Sequence, residues 1–273
     1  MHDSYLQTDG ARLRYRDEGR GDAVIFIHGW TLDLDMWESQ AAALSGAYRV
    51  IRLDRRGYGL SSGRPSLSRD LADLHALCRH LGLRETAMVG MSQGARSALN
   101  FSSGSPAAVS CLILDGPPRI GASGGQDIPY GSYRALARGR GMDAFRQEWG
   151  RHPLVSLRTR DRRTHERVAQ MIARYPGYDL TDAPTEDSAA VPSVPANIRM
   201  PVLLIGGELD LDSRKTAAAE LASQFPQAQR VQIPGAGHLC NLDDPAAYNA
   251  AIKEFLDRNA HRSHDAASHH HSR

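Results

Sequence analysis

The chain has 273 residues, 41% hydrophobic and 23% charged, and its 33 basic and 31 acidic side chains leave a net charge of +2. That length suits one large α/β domain with room for an insertion and a full core. The composition excludes a disordered chain or a membrane span, and so small a charge gives no footing for nucleic acid.

Tyr5–Thr8 and Ala11–Arg16 alternate apolar and polar residues around Asp9-Gly10, the signal of a hairpin. Ala23–Ile27 is a continuous apolar run, as a central parallel strand requires, and it leads straight into His28-Gly29-Trp30. Asp35–Leu44 reads as a helix. Tyr48–Leu53 is the next strand, ending in Asp54-Arg55-Arg56-Gly57-Tyr58-Gly59. Ser66 or Ser68 can cap a helix to Leu81, with Leu71, Leu74, Leu77, Cys78 and Leu81 at helical spacing and Gly82 as its stop. Glu85–Leu99 reads as a strand, a tight turn and a helix. Val109–Leu114 is another buried strand, closed by Asp115-Gly116-Pro117-Pro118.

From 119 to 197 the pattern changes. Gly, Pro and Arg become frequent, no buried strand appears, and two amphipathic helices are expected near Tyr133–Arg151 and Arg160–Tyr175. Such a stretch is too long for a loop and reads as a helical cap. Its arginines (Arg134, Arg138, Arg140, Arg146, Arg162, Arg163) are interleaved with acids and read as a solvated surface. Pro201–Ile205 resumes the strands, ending in Gly206-Gly207-Glu208-Leu209-Asp210, and a helix follows over Asp212–Phe225. Gln229–Ile233 is the last strand, running into Pro234-Gly235-Ala236-Gly237-His238, and Pro245 opens a final helix to Asn259. Alternating strands and helices predict a mostly parallel sheet covered on both faces. Core segments 1–118 and 198–260 then flank the cap at 119–197. The polar tail 261–273, with five of the twelve histidines, is expected to be disordered rather than metal-binding. Cys78, Cys111 and Cys240 are scattered, without CxxC or metal spacing, and read as reduced thiols. With no signal-peptide pattern at the start, a cytoplasmic location is expected, and no metal or cofactor is called for.

The chemistry centres on Gly90-Met91-Ser92-Gln93-Gly94. The Gly-x-Ser-x-Gly pattern also occurs around Ser61 and Ser123. Gly63 and Pro65 forbid a helix after Ser61, and Ser123 lies in a Gly-rich loop. Ser92 alone has a strand before it and a helix after it, the context of a nucleophile elbow. A serine hydroxyl needs a base, and the base needs an acid to orient it. Asp210 and His238 follow at later strand ends, in the chain order of this fold. Asp115, ending the strand after the elbow helix, is the alternative acid. The oxyanion donors expected are the backbone N–H groups of Gln93, at the helix start, and of Trp30, after Gly29. His28 is expected to be a structural hydrogen-bonder. Trp30, Met91, Tyr130, Tyr133, Trp149 and Leu239 are candidate pocket residues.

These motifs together resemble the α/β-hydrolase fold superfamily over residues 5–258. The residues that carry the likeness are His28-Gly29-Trp30, Asp54–Ser61, Gly90–Gly94, Gly207–Asp210 and Gly235–His238. The resemblance implies an eight-stranded, mostly parallel sheet with helices on both faces. His28-Gly29-Trp30, Met36–Gln40, Tyr48–Ile51 and Asp54–Gly57 also resemble the cofactor-free haloperoxidases, which are esterases with perhydrolase side activity. The chain departs from that branch at Gln93, where Thr or Met is usual, and at Ala95, where Gly is. Ser92 itself sets the chain apart from the dehalogenases and epoxide hydrolases of the fold, which carry Asp at that apex. The expectation is a serine hydrolase acting on a small-molecule carboxylic ester, with a lactonase or enol-lactonase using the same residues as the alternative. A hydrolase-like ligand receptor is the alternative of a different class. Neither nucleic acid nor membrane is expected as a partner.

Overall fold

The computed structural model describes residues 2–120, 127–182 and 197–259. Its sheet has eight strands: β1 (Ser4–Thr8), β2 (Ala11–Glu18), β3 (Ala23–Ile27), β4 (Arg49–Leu53), β5 (Thr86–Met91), β6 (Val109–Asp115), β7 (Val202–Gly207) and β8 (Ala228–Ile233). Their order is β1-β2-β4-β3-β5-β6-β7-β8. β1 pairs antiparallel with β2 and β2 with β4; every later pairing is parallel. The parallel strands therefore all end at one edge, where the loops after β3, β5, β6, β7 and β8 collect.

Strand alternation explains the two-faced core. Val24 and Phe26 point into one apolar cluster, with Trp37, Leu44, Tyr248 and Ile252; Ile25 and Ile27 point into the other, with Leu74, Leu77, Ala98 and Leu221. α1 (Glu38–Leu44) and α9 (Pro245–Asn259) supply the first face, and α2 (Leu67–His80), α3 (Gln93–Gly104) and α8 (Asp212–Gln224) the second. Both faces being covered is what lets β3 be apolar throughout.

Between β6 and β7 the described residues hold helices and no strand: α4 (Tyr130–Arg140), α5 (Met142–Trp149), α6 (Arg162–Arg174) and the short α7 (Tyr178–Thr181). The single helix expected over Tyr133–Arg151 is two, broken at Gly141, whose φ of +87° does not fit a continuing helix. The helix expected from Asp35 opens instead as a 3-10 turn over Leu34–Trp37, capped by Asp33. Ser66 caps α2, accepting from the Arg69 amide. Leu211 holds the cap position of α8 without a side-chain bond, and Ser213 donates to Asp127. Several arginines expected on a solvated surface instead fix backbone. Arg134 donates to the Asp179 carbonyl, Arg138 to Thr181 and Arg146 to Tyr175. Ser123 and the tail 261–273 lie outside the described residues. No helix among the described residues is long and apolar enough to cross a membrane.

Candidate active site

Ser92 stands between β5 and α3 at φ +52° and ψ −114°, a backbone conformation strained for any residue with a Cβ. The flanking glycines explain how the turn closes. A Cβ on Gly90 would lie 2.3 Å from the Gly94 carbonyl oxygen, and one on Gly94 would lie 2.3 Å from that of Ile27. Strand, helix and the end of β3 therefore touch at backbone distance around the apex. The Ser92 amide donates to the Asp115 carbonyl at 2.7 Å, tying the turn to β6.

Asp210 and His238 come from the loops after β7 and β8. Those loops are joined by backbone bonds, Glu208 N–H to Ile233 at 3.0 Å and Leu209 N–H to Ala236 at 2.8 Å. His238 Nδ1 lies 2.8 Å from Asp210 Oδ2, and both side chains are about 3% exposed. The other Asp210 oxygen accepts from the Leu211 amide at 2.7 Å. Nδ1–H donating to a carboxylate fixes the imidazole tautomer and leaves Nε2 as an acceptor.

Gly116, which sequence reasoning passed over, shapes this pair. At φ +49°, a Cβ there would sit 2.8 Å from His238 Cε1 and 2.9 Å from Nδ1. The chain passes so close because the Gly116 amide extends the β6–β7 pairing, donating to Ile205 at 2.9 Å. The only sequence signal was its place directly after a strand-ending Asp.

The structure brings His238 to Asp210 and gives Asp115 other company. Asp115 is fully buried, accepts from Cys240 Sγ at 3.3 Å, and is pushed up to about 8, chiefly by burial and further by the charge of Asp210. His28 is buried and neutral. Its Nδ1 lies 2.7 Å from the Gly29 carbonyl, Nε2 accepts from the Arg55 amide at 2.9 Å, and burial with the Arg55 charge lowers it to about 3. Ser61 is a structural residue: its Oγ accepts from the Arg14 amide and donates to the Asp54 carbonyl, both at 2.8 Å.

The loop after β3 abuts the apex, since a Cβ on Gly29 would lie 3.4 Å from Ser92 Cβ. Thr31 in this loop has φ +65°, an uncommon conformation for a β-branched residue. Its Oγ1 accepts from Trp149 Nε1 at 2.7 Å, so α5 braces the loop. The Gln93 side chain accepts from Arg55 Nη1 at 2.7 Å and from Tyr58 OH at 3.1 Å. The Arg55 charge is met by Asp70 at 2.6 Å.

Trp30 is the centre of an aromatic cluster drawn from the helices after β6. Its ring lies 5.0 Å from Tyr130, 6.4 Å from Tyr133 and 4.8 Å from Trp149, mostly edge to face. Its Nε1 donates at 2.8 Å to Asp179, a half-buried carboxylate on α7 that Tyr175 also binds and whose pKa desolvation raises. Met91 packs under Gly29, and Leu239 is fully buried in the same apolar cluster. Arg214 had no sequence signal. It is 2% exposed on α8, and its Nη1 donates to Ser92 Oγ at 3.5 Å.

Comparison with known proteins places these features in context. A family profile described as the alpha/beta hydrolase fold matches residues 22–245. A Bacillus subtilis protein, described provisionally as a 2-succinyl-6-hydroxy-2,4-cyclohexadiene-1-carboxylate synthase, is 29% identical over 265 residues, 91% of this chain and 96% of its own. A non-heme haloperoxidase of Rhodococcus erythropolis is 42% identical over 91 residues, 32% of this chain and 33% of its own. A thermophilic esterase from Thermogutta terrifontis superposes with a TM-score of 0.76 at 26% identity, covering 94% of this chain and 99% of that one.

Proposed function

The chain belongs to the alpha/beta hydrolase fold family, and from that premise we propose that it cleaves carboxylic esters of small molecules, lactones included, through an acyl-enzyme on Ser92. The observations that carry this reading are the strained Ser92 apex after β5 and the His238–Asp210 pair on the loops after β7 and β8, at the same edge of the sheet.

Ser92 Oγ attacks the ester carbonyl carbon while His238 Nε2 takes its proton. Asp210, bonded to Nδ1, holds the imidazole in that tautomer and stabilises its charged form. The backbone N–H groups of Gln93 and Trp30 receive the carbonyl oxygen as it becomes an oxyanion. Gln93 begins α3, so its amide is one of the unsatisfied donors of a helix start. Trp30 follows Gly29, whose backbone abuts Ser92. His238 returns the proton to the leaving alcohol as the carbonyl–alkoxy bond breaks. It then takes a proton from water, hydroxide attacks the acyl carbon, and Ser92 leaves with the proton. Trp30, Tyr130, Tyr133 and Trp149 wall the acyl pocket with flat apolar surface.

Hydrolysis of p-nitrophenyl acetate and butyrate by the wild type and Ser92→Ala tests this. The expected result is a loss of at least about 1000-fold in kcat in the variant. Turnover retained in Ser92→Ala would end the proposal. A panel of lactones beside linear esters then ranks the two leaving-group types.

A further inference from the structure

The described hydrolysis has no use for the cationic charge beside Ser92. Arg214 is buried beside it, and a guanidinium withdrawn from water calls for anionic partners. One is present: Asp127 Oδ2 lies 2.8 Å from Arg214 Nε. Asp127 also accepts from Ser213, so its charge is shared. A second guanidinium, Arg96, extends from the first turn of α3. Its Nη2 donates to the Arg119 carbonyl at 3.2 Å, and its Nε is buried without a partner among the described residues. Burial pushes its pKa down, and the nearby charge of Arg214 adds to that. Both guanidinium charges also act on the half-buried phenol of Tyr130, whose ring packs on Trp30. Arg214 thus lies beside the Ser92 hydroxyl with Asp127 against it, and its charge acts on both Arg96 and Tyr130.

We propose that Arg214 and Arg96 form a subsite for a carboxylate carried by the substrate, so that the preferred esters are hemiesters of short dicarboxylic acids or lactones bearing a carboxylate. The inference rests on the ester-hydrolase reading and narrows it. A guanidinium fork matches a carboxylate in shape and charge, and a second fork holds it against rotation. With Nη1 at 3.5 Å from Ser92 Oγ, a carboxylate oxygen bonded to it lies within about 6 Å of Oγ. That leaves room for about one to three methylene groups between carboxylate and scissile carbonyl. Occupancy also draws Nη1 away from Ser92 Oγ, freeing the hydroxyl to turn toward His238. Arg214 and Arg96 are positioning residues for the acyl group and take no part in proton transfer.

The test compares kcat/KM for monoethyl and diethyl esters of malonic, succinic and glutaric acids, which share a skeleton and differ in charge. In the wild type at least one hemiester should exceed its diester by about tenfold or more. Arg96→Gln and Arg214→Gln should each lower hemiester turnover about 10- to 100-fold beyond any loss on the diester, the range of a charge-assisted hydrogen bond. Arg214→Lys should recover part of the Arg214→Gln loss. Equal or better turnover of every diester by the wild type overturns the subsite, as does an unchanged ratio in both Gln variants. Since Arg214→Gln leaves Asp127 without its cation and can unfold the chain, Arg96→Gln decides if it does. If the wild type turns over none of these esters, protection of Ser92 from a fluorophosphonate by glutarate decides: protection upholds the subsite and its absence overturns it. Failure of the parent reading shows separately, as turnover that survives Ser92→Ala.

Discussion

Gly116→Ala isolates the positioning of the His238 ring without touching a side chain that reacts. The new methyl would begin 2.8 Å from Cε1 and 2.9 Å from Nδ1 of His238, at a backbone φ of +49°. An alanine held left-handed costs about 1–2 kcal/mol. The contact must also open by about 0.7–1 Å to reach ordinary van der Waals distance, and the ring can yield only by straining its 2.8 Å bond to Asp210. At about 2–4 °C per kcal/mol, Tm should fall by about 2–8 °C. A misplacement of this order costs about 100-fold when it separates reacting groups. Steady-state kinetics on p-nitrophenyl butyrate should therefore show kcat down by about 100-fold with KM changed less than about threefold. Fluorophosphonate labelling should slow in parallel, since both depend on Ser92 activation. A variant with wild-type kcat and a lowered Tm would refute the reasoning, because the clash would then have been relieved without moving the imidazole.

Three further outcomes follow from the same geometry. Asp210→Asn should lower kcat by about 10³–10⁴-fold, as loss of the orienting carboxylate does in related chemistry, while Asp115→Asn should stay within about tenfold; the reverse order in stopped assays would make Asp115 the acid. The raised pKa of Asp115, about 8 in the folded chain against about 3.9 unfolded, means its contribution to stability is full below about pH 4 and fades as pH rises through 8. Tm of Asp115→Asn relative to wild type should accordingly climb between pH 4 and 8 in scanning calorimetry and level off above it, and a pH-independent difference would contradict that. Ser61→Ala should lose about 1–2 kcal/mol by urea denaturation, from its two buried bonds to Asp54 and Arg14, with labelling at Ser92 intact.

The sheet was legible because its central strands are read twice: as apolar runs, and as runs that end in chemistry. Ala23–Ile27 is buried at every position, so it could only be a strand covered on both faces. That Ser92, Asp210 and His238 each follow a strand was legible for the same reason, and parallel strands share one edge. What could not be read is how loops from different strands meet. Gly116 matters because of a side chain 122 residues later, and the sequence marks it only as a glycine after an aspartate. Arg214 falls within a helix whose other positions are ordinary, and its approach to Ser92 depends on how α8 is set by β7. The helices after β6 were read only in part. Periodicity found their apolar faces but not the stop at Gly141, and it took Arg134, Arg138 and Arg146 for surface residues when they bind the carbonyls of Tyr175, Asp179 and Thr181.

The central claim is that Ser92 is the nucleophile that His238 and Asp210 serve. Intact-mass and peptide mass spectrometry after fluorophosphonate treatment tests it most directly. One adduct per chain is expected, on the peptide containing Ser92, lost in Ser92→Ala and formed much more slowly in His238→Ala. An adduct on any other residue, or labelling that continues unchanged in Ser92→Ala, would contradict the account.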